Sequence, residues 1–339
     1  SMRIDVIIQS DGTAEHYAHL GKLAEEYGLG AIWVPNNSNG RDAFVNFTPF
    51  ALQSGKILMG PMAISPFELH PVKMGASLLS LNEISHGRAA IVVGGGGGVA
   101  ENIGKLKKTV IKPMRECIEI LNMMADGSAG DYKGEFFPVA WVDTRWVTQK
   151  RPMIYAGANG PRLVASAADY ADGIMVSDFT PVRIKWLHDI IDPILKARDV
   201  DPATYPVNNF WAWHVKEDPA KAQREARINL CVRGTLSDHY IYDVVDDEEA
   251  RIVEAHIGSF ARAYYRKDPE IRGVPDEIVN KIVAHGTSAS SLDNIDAEIE
   301  RFKTFAAAGL NEISLCLYDD PADSIKIIGE HIVPALRDV

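Results

Sequence analysis

The chain has 339 residues, of which 46 % are hydrophobic and 24 % charged. That composition excludes wholesale disorder, and a chain this long buries roughly three quarters of its unfolded surface without needing a metal or a disulfide to fold. Lys plus Arg number 35 against 46 Asp plus Glu, a formal charge of −11, which speaks against a general nucleic-acid binder and an anionic membrane surface and leaves a small-molecule partner.

The first strand is expected over residues 3–8. A helix follows over 13–27, with Tyr17, Leu20, Ala24 and Tyr27 on one face and Gly28 and Gly30 ending it. The second strand is expected at 31–34 and a helix at 42–54, then the third strand at 57–63 and a helix at 70–84. The fourth strand, 88–93, runs into consecutive glycines. Residues 113–125 read as a helix with Pro113 in its first turn and Met114, Cys117, Ile118, Leu121 and Met124 at helical spacing. Residues 126–151 read as a loop. Strands are then expected at 153–156, 173–177, 207–214 and 312–317, and helices at 161–170, 181–197 and 321–336. Eight strands, each followed by helical sequence, require parallel crossovers and fit a (β/α)8 barrel. The stretch 218–305 is too long for one helix. We expect a single barrel domain over 1–339 with a helical insertion at about 218–290, polar at its centre.

Cys117, Cys231 and Cys316 are far apart and form no CxxC. No basic and apolar leader is visible, and no apolar run approaches the ~18–20 residues that span a bilayer. The expectation is a reduced, cytoplasmic protein away from membranes.

Ligands of barrels meet the loops at the strand C-termini. This selects 9–11, 36–41, 65–70, 94–98, 157–162, 177–178, 213–214 and 318–320. The five glycines beginning Gly94-Gly95 let backbone approach a ligand closely; the plainer reading is a flexible connection. They match neither a Rossmann fingerprint nor a Walker A loop. In Gly157-Ala158-Asn159-Gly160-Pro161-Arg162, Pro161 suits a first helical turn, so loop N–H groups would face an anion with the helix dipole behind them; the alternative is a plain turn. His70 ahead of Pro71 reads equally as a site residue or a helix cap. His16 and His19 read as an exposed helix face, because no third metal ligand is recognisable. Trp211 and Trp213 point to one side of their strand, as core or as an aromatic wall, with His214 on the other. No HExxH, GxSxG or supported Cys–His pair is present.

In order and spacing, several stretches resemble the bacterial luciferase-like superfamily of flavin- and deazaflavin-dependent barrels, most of all methylenetetrahydromethanopterin reductase, which uses coenzyme F420. They are Gly30-Ala-Ile-Trp-Val-Pro-Asn-Asn-Ser-Asn-Gly-Arg41, Ile57-Leu-Met-Gly-Pro-Met-Ala-Ile-Ser-Pro66 with His70-Pro71, Leu81-Asn-Glu-Ile-Ser-His-Gly-Arg88, Pro152-Met-Ile-Tyr-Ala-Gly-Ala-Asn-Gly-Pro-Arg162, Ala171-Asp-Gly-Ile174 and Val333-Pro-Ala-Leu-Arg337. The resemblance covers most of 2–200 and 292–338. It implies a non-prolyl cis peptide at Met62-Ala63 backing the tricyclic ring. Ile64, Ser65, Gly94 and Gly95 would line the ring and its side chain. Gly157, Ala158, Asn159, Gly160 and Pro161 would take the phosphate; Ser177 joins the cofactor-binding candidates from its place at a strand C-terminus. It also implies a homodimer or larger homo-oligomer.

Two departures stand out. The reductases usually carry Asp-His where this chain has Asn36-Asn37, and a glutamate where it has Ile7. Amides hydrogen-bond but are neither acids nor bases near pH 7, which bears on the methanopterin reaction itself but not on hydride transfer, since that chemistry belongs to the cofactor. The resulting expectation is an F420-dependent oxidoreductase acting on a small organic substrate, with Asn37 orienting it and Asn36 and His70 nearby. The alternatives are an FMN-dependent monooxygenase and a non-catalytic flavin- or deazaflavin-binding protein. For the acidic cofactor tail, Lys105, Lys107 and Lys108, or Arg183 and Lys185, are candidate cations.

Overall fold

The computed structural model describes residues 1–105, 109–237 and 239–339. Its strands are β1 (Arg3–Ile7), β2 (Ala31–Val34), β3 (Leu58–Ile64), β4 (Ala90–Val93), β5 (Ala129–Tyr132), β6 (Val139–Asp143), β7 (Met153–Gly157), β8 (Gly173–Ser177), β9 (Val207–Ala212) and β10 (Glu312–Cys316). All but β5 and β6 close into a barrel in the order β1-β10-β9-β8-β7-β4-β3-β2, every pair parallel. The chain therefore forms the expected TIM barrel.

The barrel follows from the alternation of side chains along each strand. One set, including Ile4, Val6, Ile32, Val34, Ile91, Val93, Ile313 and Leu315, packs with the helices in the main core. The other set forms a small interior cluster of Ile7, Ala31, Trp33, Ala90, Val92, Tyr155, Met175 and Cys316. Gly60 of β3 permits the barrel wall to close, because a Cβ there would run into the Ala90 carbonyl of β4. At the N-terminal end the interior is ionic. Arg3 donates to both oxygens of Asp5 at 2.9 Å and lies 3.0 Å from Glu312 Oε1. Asp5, fully buried, also accepts from Trp33 Nε1 at 3.0 Å and Asn208 Nδ2 at 3.1 Å, while Tyr155 donates to Glu312 at 2.8 Å. Burial pushes the Glu312 carboxyl above the usual range.

Three segments differ from expectation. The supposed loop 126–151 contains the antiparallel hairpin β5–β6; its strands are short and half exposed, so no hydrophobic alternation announces them. The expected helix 42–54 is two helices, Ala43–Asn46 and Thr48–Gln53, the second starting where Pro49 lacks an N–H to continue the first. The closing helix stops at Ile327 and continues through a π turn, Ile328–Ile332, into Val333–Ala335, where Pro334 breaks the ladder of hydrogen bonds.

The stretch 218–305 holds the helices Pro219–Ile228, Asp247–Ala255, Ile257–Arg266, Asp276–Gly286 and Ile295–Ala307. The centre that reads as polar has an apolar cluster of its own, built by Leu230, Ile241, Val253, Phe260, Ile278, Val279, Ile282 and Val283 among others. It joins the barrel through main-chain bridges from Trp213 to Ser288 and Lys216 to Ser291. Among the described residues no helix is long and apolar enough to cross a membrane.

Candidate active site

A cleft of about 1320 Å³ opens at the C-terminal end of the barrel strands, where this fold places its ligands. One wall is almost bare backbone. The pairing of β3 with β4 slips between Met62 and Ile64, making a bulge, and the Met62–Ala63 peptide is cis, at the position the resemblance implies. Gly94 donates its N–H to Ile64 O at 3.0 Å, and a Cβ on Gly94 would sit only 2.9 Å from that of Ala63. Gly96 and Gly97 have φ of +97° and +44°, conformations that side-chain-bearing residues rarely adopt. The glycine run is not wholly a loop, since Gly97 begins the short helix Gly97–Asn102. Ser65 is buried beside this wall with its hydroxyl unpartnered. Its N–H donates to Glu68 Oε2 at 2.9 Å, and burial raises the Glu68 carboxyl.

The second wall comes from β1, β2 and β10. Gln9 Nε2 donates to Leu317 O at 2.8 Å, and Asn37 Nδ2 to Ser10 Oγ at 3.0 Å. Ile7, at the position expected to hold a glutamate, is fully buried in the barrel interior against Cys316 and Trp33.

The third wall joins the expected segments 213–214 and 318–320 to Phe210 of β9 and to Glu225 and Arg233 of the insertion, which the sequence reading missed. Arg233, 3 % exposed, donates from Nη2 to the Tyr318 hydroxyl at 2.7 Å, and its guanidinium stacks 4.9 Å over the Phe210 ring. Tyr318 stacks on His214, with ring centroids 5.0 Å apart. His214 Nδ1 lies 2.8 Å from Glu225 Oε1, and Lys216 Nζ 3.0 Å from Glu225 Oε2. Burial pushes the His214 imidazole below its usual pKa. It opposes ionisation of Glu225 too, but the bonds from His214 and Lys216 prevail and hold that carboxyl down. The signal that could have found this wall was topological: 218–290 follows β9, so it is itself an elaborated loop at a strand C-terminus.

The structure brings Asn37, Met62, Ala63, Ile64, Gly94 and Gly95 to the cleft, but not the other expected residues. Asn36 turns its amide oxygen to the N–H of Ala43 at 3.2 Å. His70 takes the cap reading: Nδ1 accepts from Val72 N at 3.1 Å and starts the helix Pro71–Ile84. Gly157, Ala158, Asn159, Gly160, Pro161 and Ser177 lie one strand over. A Cβ on Gly157 would be 3.9 Å from Gly94 Cα, so the two glycine segments abut. Gly160 caps the helix Pro161–Tyr170, with Pro161 in the first turn as expected. Asn159 Oδ1 accepts from Ser177 N at 2.9 Å, and Tyr240 donates to Asn159 O at 2.9 Å. Trp211 and Trp213 take the core reading, against Phe305 and Phe302. Of the candidate cations, Arg183 is paired with Asp243 at 2.9 Å and stacked on Trp186; Lys107 and Lys108 lie outside the described residues. His16, read as plain helix surface, stands at the cleft mouth. Among the described residues no cluster of His, Cys, Asp or Glu suits a metal ion.

The family model for luciferase-like monooxygenases matches residues 2–304. The 5,10-methylenetetrahydromethanopterin reductase of Archaeoglobus fulgidus is 27 % identical over 322 residues, 93 % of this chain and 94 % of that protein. Among solved structures, the coenzyme F420-dependent tetrahydromethanopterin reductase from Methanopyrus kandleri superposes with a TM-score of 0.84 at 19 % identity, covering 98 % of this chain and 99 % of that one. An F420-dependent secondary alcohol dehydrogenase in complex with an F420-acetone adduct has a TM-score of 0.78 at 16 % identity, covering both chains fully.

Proposed function

The chain belongs to the luciferase-like monooxygenase family of oxidoreductases, and from that premise we propose that it binds coenzyme F420 and transfers hydride between this deazaflavin and a small organic substrate. The observation that carries the reading is the bare wall of the cleft. A planar tricyclic ring needs a flat surface without projecting side chains. The β3 bulge and the glycine segment after β4 offer one, and they meet where Gly94 packs against the Ala63 Cβ. The residues present fit the group on a second count, because the buried Ser65 hydroxyl makes no well-formed hydrogen bond among the described residues, having only the Glu68 carboxylate near it, and a ligand's polar side chain would satisfy it. The names of two structural neighbours carry the same cofactor.

In this reading Met62, Ala63, Ile64, Gly94 and Gly95 hold the ring, with Ser65 at its edge. Gly157, Ala158, Asn159, Gly160 and Pro161, at the start of a helix, hold the phosphate-bearing chain with Ser177. When bound, the deazaflavin supplies the hydride chemistry. The protein's part is to exclude water and to orient the substrate. Asn37 does the latter through its amide, which carries no titrating proton. Asn36 and His70 are spent on helix starts outside the cleft and take no part in this reading.

Titrating the purified protein with F420 and, separately, with FMN, and following cofactor fluorescence, tests the proposal. Tight F420 binding and weak FMN binding are expected. The reverse preference moves the chain to the flavin-dependent monooxygenases, and binding of neither removes the cofactor reading altogether.

A further inference from the structure

Arg233 is a buried cation with donors to spare. It sits between two 3-10 turns, Leu230–Val232 and Gly234–Leu236, and borders the cleft. Its surroundings fix the guanidinium from several sides. Phe210 and Tyr318 lie under it, at 4.9 and 5.8 Å from their ring centroids. The next residue is tied down as well: Gly234 N donates to Asp178 Oδ2 at 2.7 Å, and a Cβ on Gly234 would come within 3.0 Å of Ser177 O. Asp178 itself holds a left-handed backbone, φ +58°, to reach this bond.

Yet the fork is mostly unused. Among the described residues only Nη2 has a hydrogen bond, to Tyr318; Nε and Nη1 are buried with none. Asp178 Oδ1 stands 3.7 Å from Nη1, an ion pair too long for a hydrogen bond, and has no hydrogen-bond partner among the described residues. Burial pushes the Asp178 carboxyl up, which weakens it as a counter-ion, whereas Arg233 remains charged: burial opposes its charge, but Tyr318 and Asp178 raise its pKa above the usual guanidinium range. The other nearby acid, Glu225, is taken by His214 and Lys216. Leaving charged donors buried and unpaired is costly, and planar guanidinium matches a planar carboxylate with two parallel bonds. In the barrel order β9, which carries the Phe210 ring beneath Arg233, lies diametrically opposite β3, so Arg233 and the bare wall border the cleft from opposite sides.

We propose that Arg233 anchors a carboxylate of the substrate, making this an enzyme for a small organic acid anion. The proposal rests on the cofactor reading in assigning the opposite wall to the ring. The same chemistry has a second source, the acidic tail of F420, and the test separates the two.

Binding of 4-fluorobenzoate and of its neutral isostere 4-fluorobenzamide is measured by 19F relaxation, first on the protein without cofactor. Benzoate is expected to bind about 10- to 100-fold more tightly than the amide, as two charge-assisted bonds would give. Arg233→Met abolishes that preference, and Arg233→Lys keeps part of it as a point charge. Equal binding of the two probes, or a preference that survives Arg233→Met, overturns the proposal. Should the methionine variant not fold, undiminished preference in Arg233→Lys counts against it and a reduced one for it. With F420 present at saturation, benzoate is expected to stay bound; its displacement would assign Arg233 to the cofactor tail and overturn the substrate reading. If F420 fails to bind while the benzoate preference persists in the wild type and is lost in Arg233→Met, the cofactor reading falls and the anion site stands.

Discussion

Replacing Arg3 with methionine tests whether the ionic floor of the barrel is structural and separate from the cleft. Methionine keeps most of the stem and removes the charge. It leaves Asp5 and Glu312 as two buried carboxylates without their cation. Breaking a buried pair costs ~3–5 kcal/mol. The Arg3 side chain is 26 % exposed, so water moderates its loss and the lower figure, about 3 kcal/mol, applies. For a chain of this size the unfolding entropy is on the order of 0.7 kcal/mol/K, which converts the loss to a fall of about 4 °C in Tm. The loss has a pH signature. Glu312 already has its carboxyl raised by burial, and removing Arg3 raises it further. A carboxyl whose folded pKa lies above its unfolded value favours the folded state at low pH and disfavours it as pH rises through the folded pKa. The gap between variant and wild type is therefore widest near pH 8 and narrower at pH 5.5. Thermal unfolding at both pH values reads it, with F420 titration expected to be unchanged because the floor lies at the opposite end of the strands from the cleft. A Tm drop below about 1 °C at pH 8, or a gap that widens on acidification, refutes the reasoning.

Two further predictions concern the cleft. Gly94→Ala puts a methyl 2.9 Å from Ala63 Cβ, against an optimum of about 3.5–4.0 Å; overpacking of this kind costs ~1–3 kcal/mol. F420 affinity should fall at least about fivefold on that basis, while Gly98→Ala, with nothing within 4 Å of the new methyl, should bind like the wild type; equal binding by both variants would show that the bare wall does not carry the ring. His214 is held neutral by burial, its folded pKa below the unfolded value near 6.5. Its contribution is thus intact above that pH and is lost as pH falls through 6.5 towards the folded pKa, so the wild-type Tm should drop more between pH 7.5 and 5.5 than that of His214→Gln. Parallel curves would mean that His214 is not the titrating group.

The barrel was legible because its strands are short apolar runs bounded by glycine, proline or acidic residues, and because each is followed by a helix with one apolar face; β2, β8 and the helices Pro161–Tyr170 and Pro181–Ala197 have the bounds expected. The hairpin β5–β6 was not, since a two-stranded ribbon with exposed Trp141 satisfies no buried pattern. Asn37 could be placed because strand C-termini select 36–41, and the β3 bulge because the family resemblance implies it at Met62-Ala63. Asn36 and His70 look alike in sequence to ligand groups, and only the positions of Ala43 N and Val72 N decide that they cap helices. Arg233 was out of reach for a different reason. Its environment is assembled from Asp178, Phe210 and Tyr318, which lie on three different strand ends, and no local spacing encodes that convergence.

The independent apolar cluster of the 218–290 segment has a consequence for how such a cleft can be retuned. The wall opposite β3 takes Glu225 and Arg233 from a unit with its own core, stitched to the barrel by main-chain bridges at Ser288 and Ser291, whereas the bare wall is woven from the barrel strands themselves. On the proposed reading, substrate selectivity and cofactor binding are thereby mounted on separate frames. A replacement of the insertion can redraw the acceptor side of the cavity while the strands keep their closure and the glycine surface its shape, much as a lens is exchanged without rebuilding the camera.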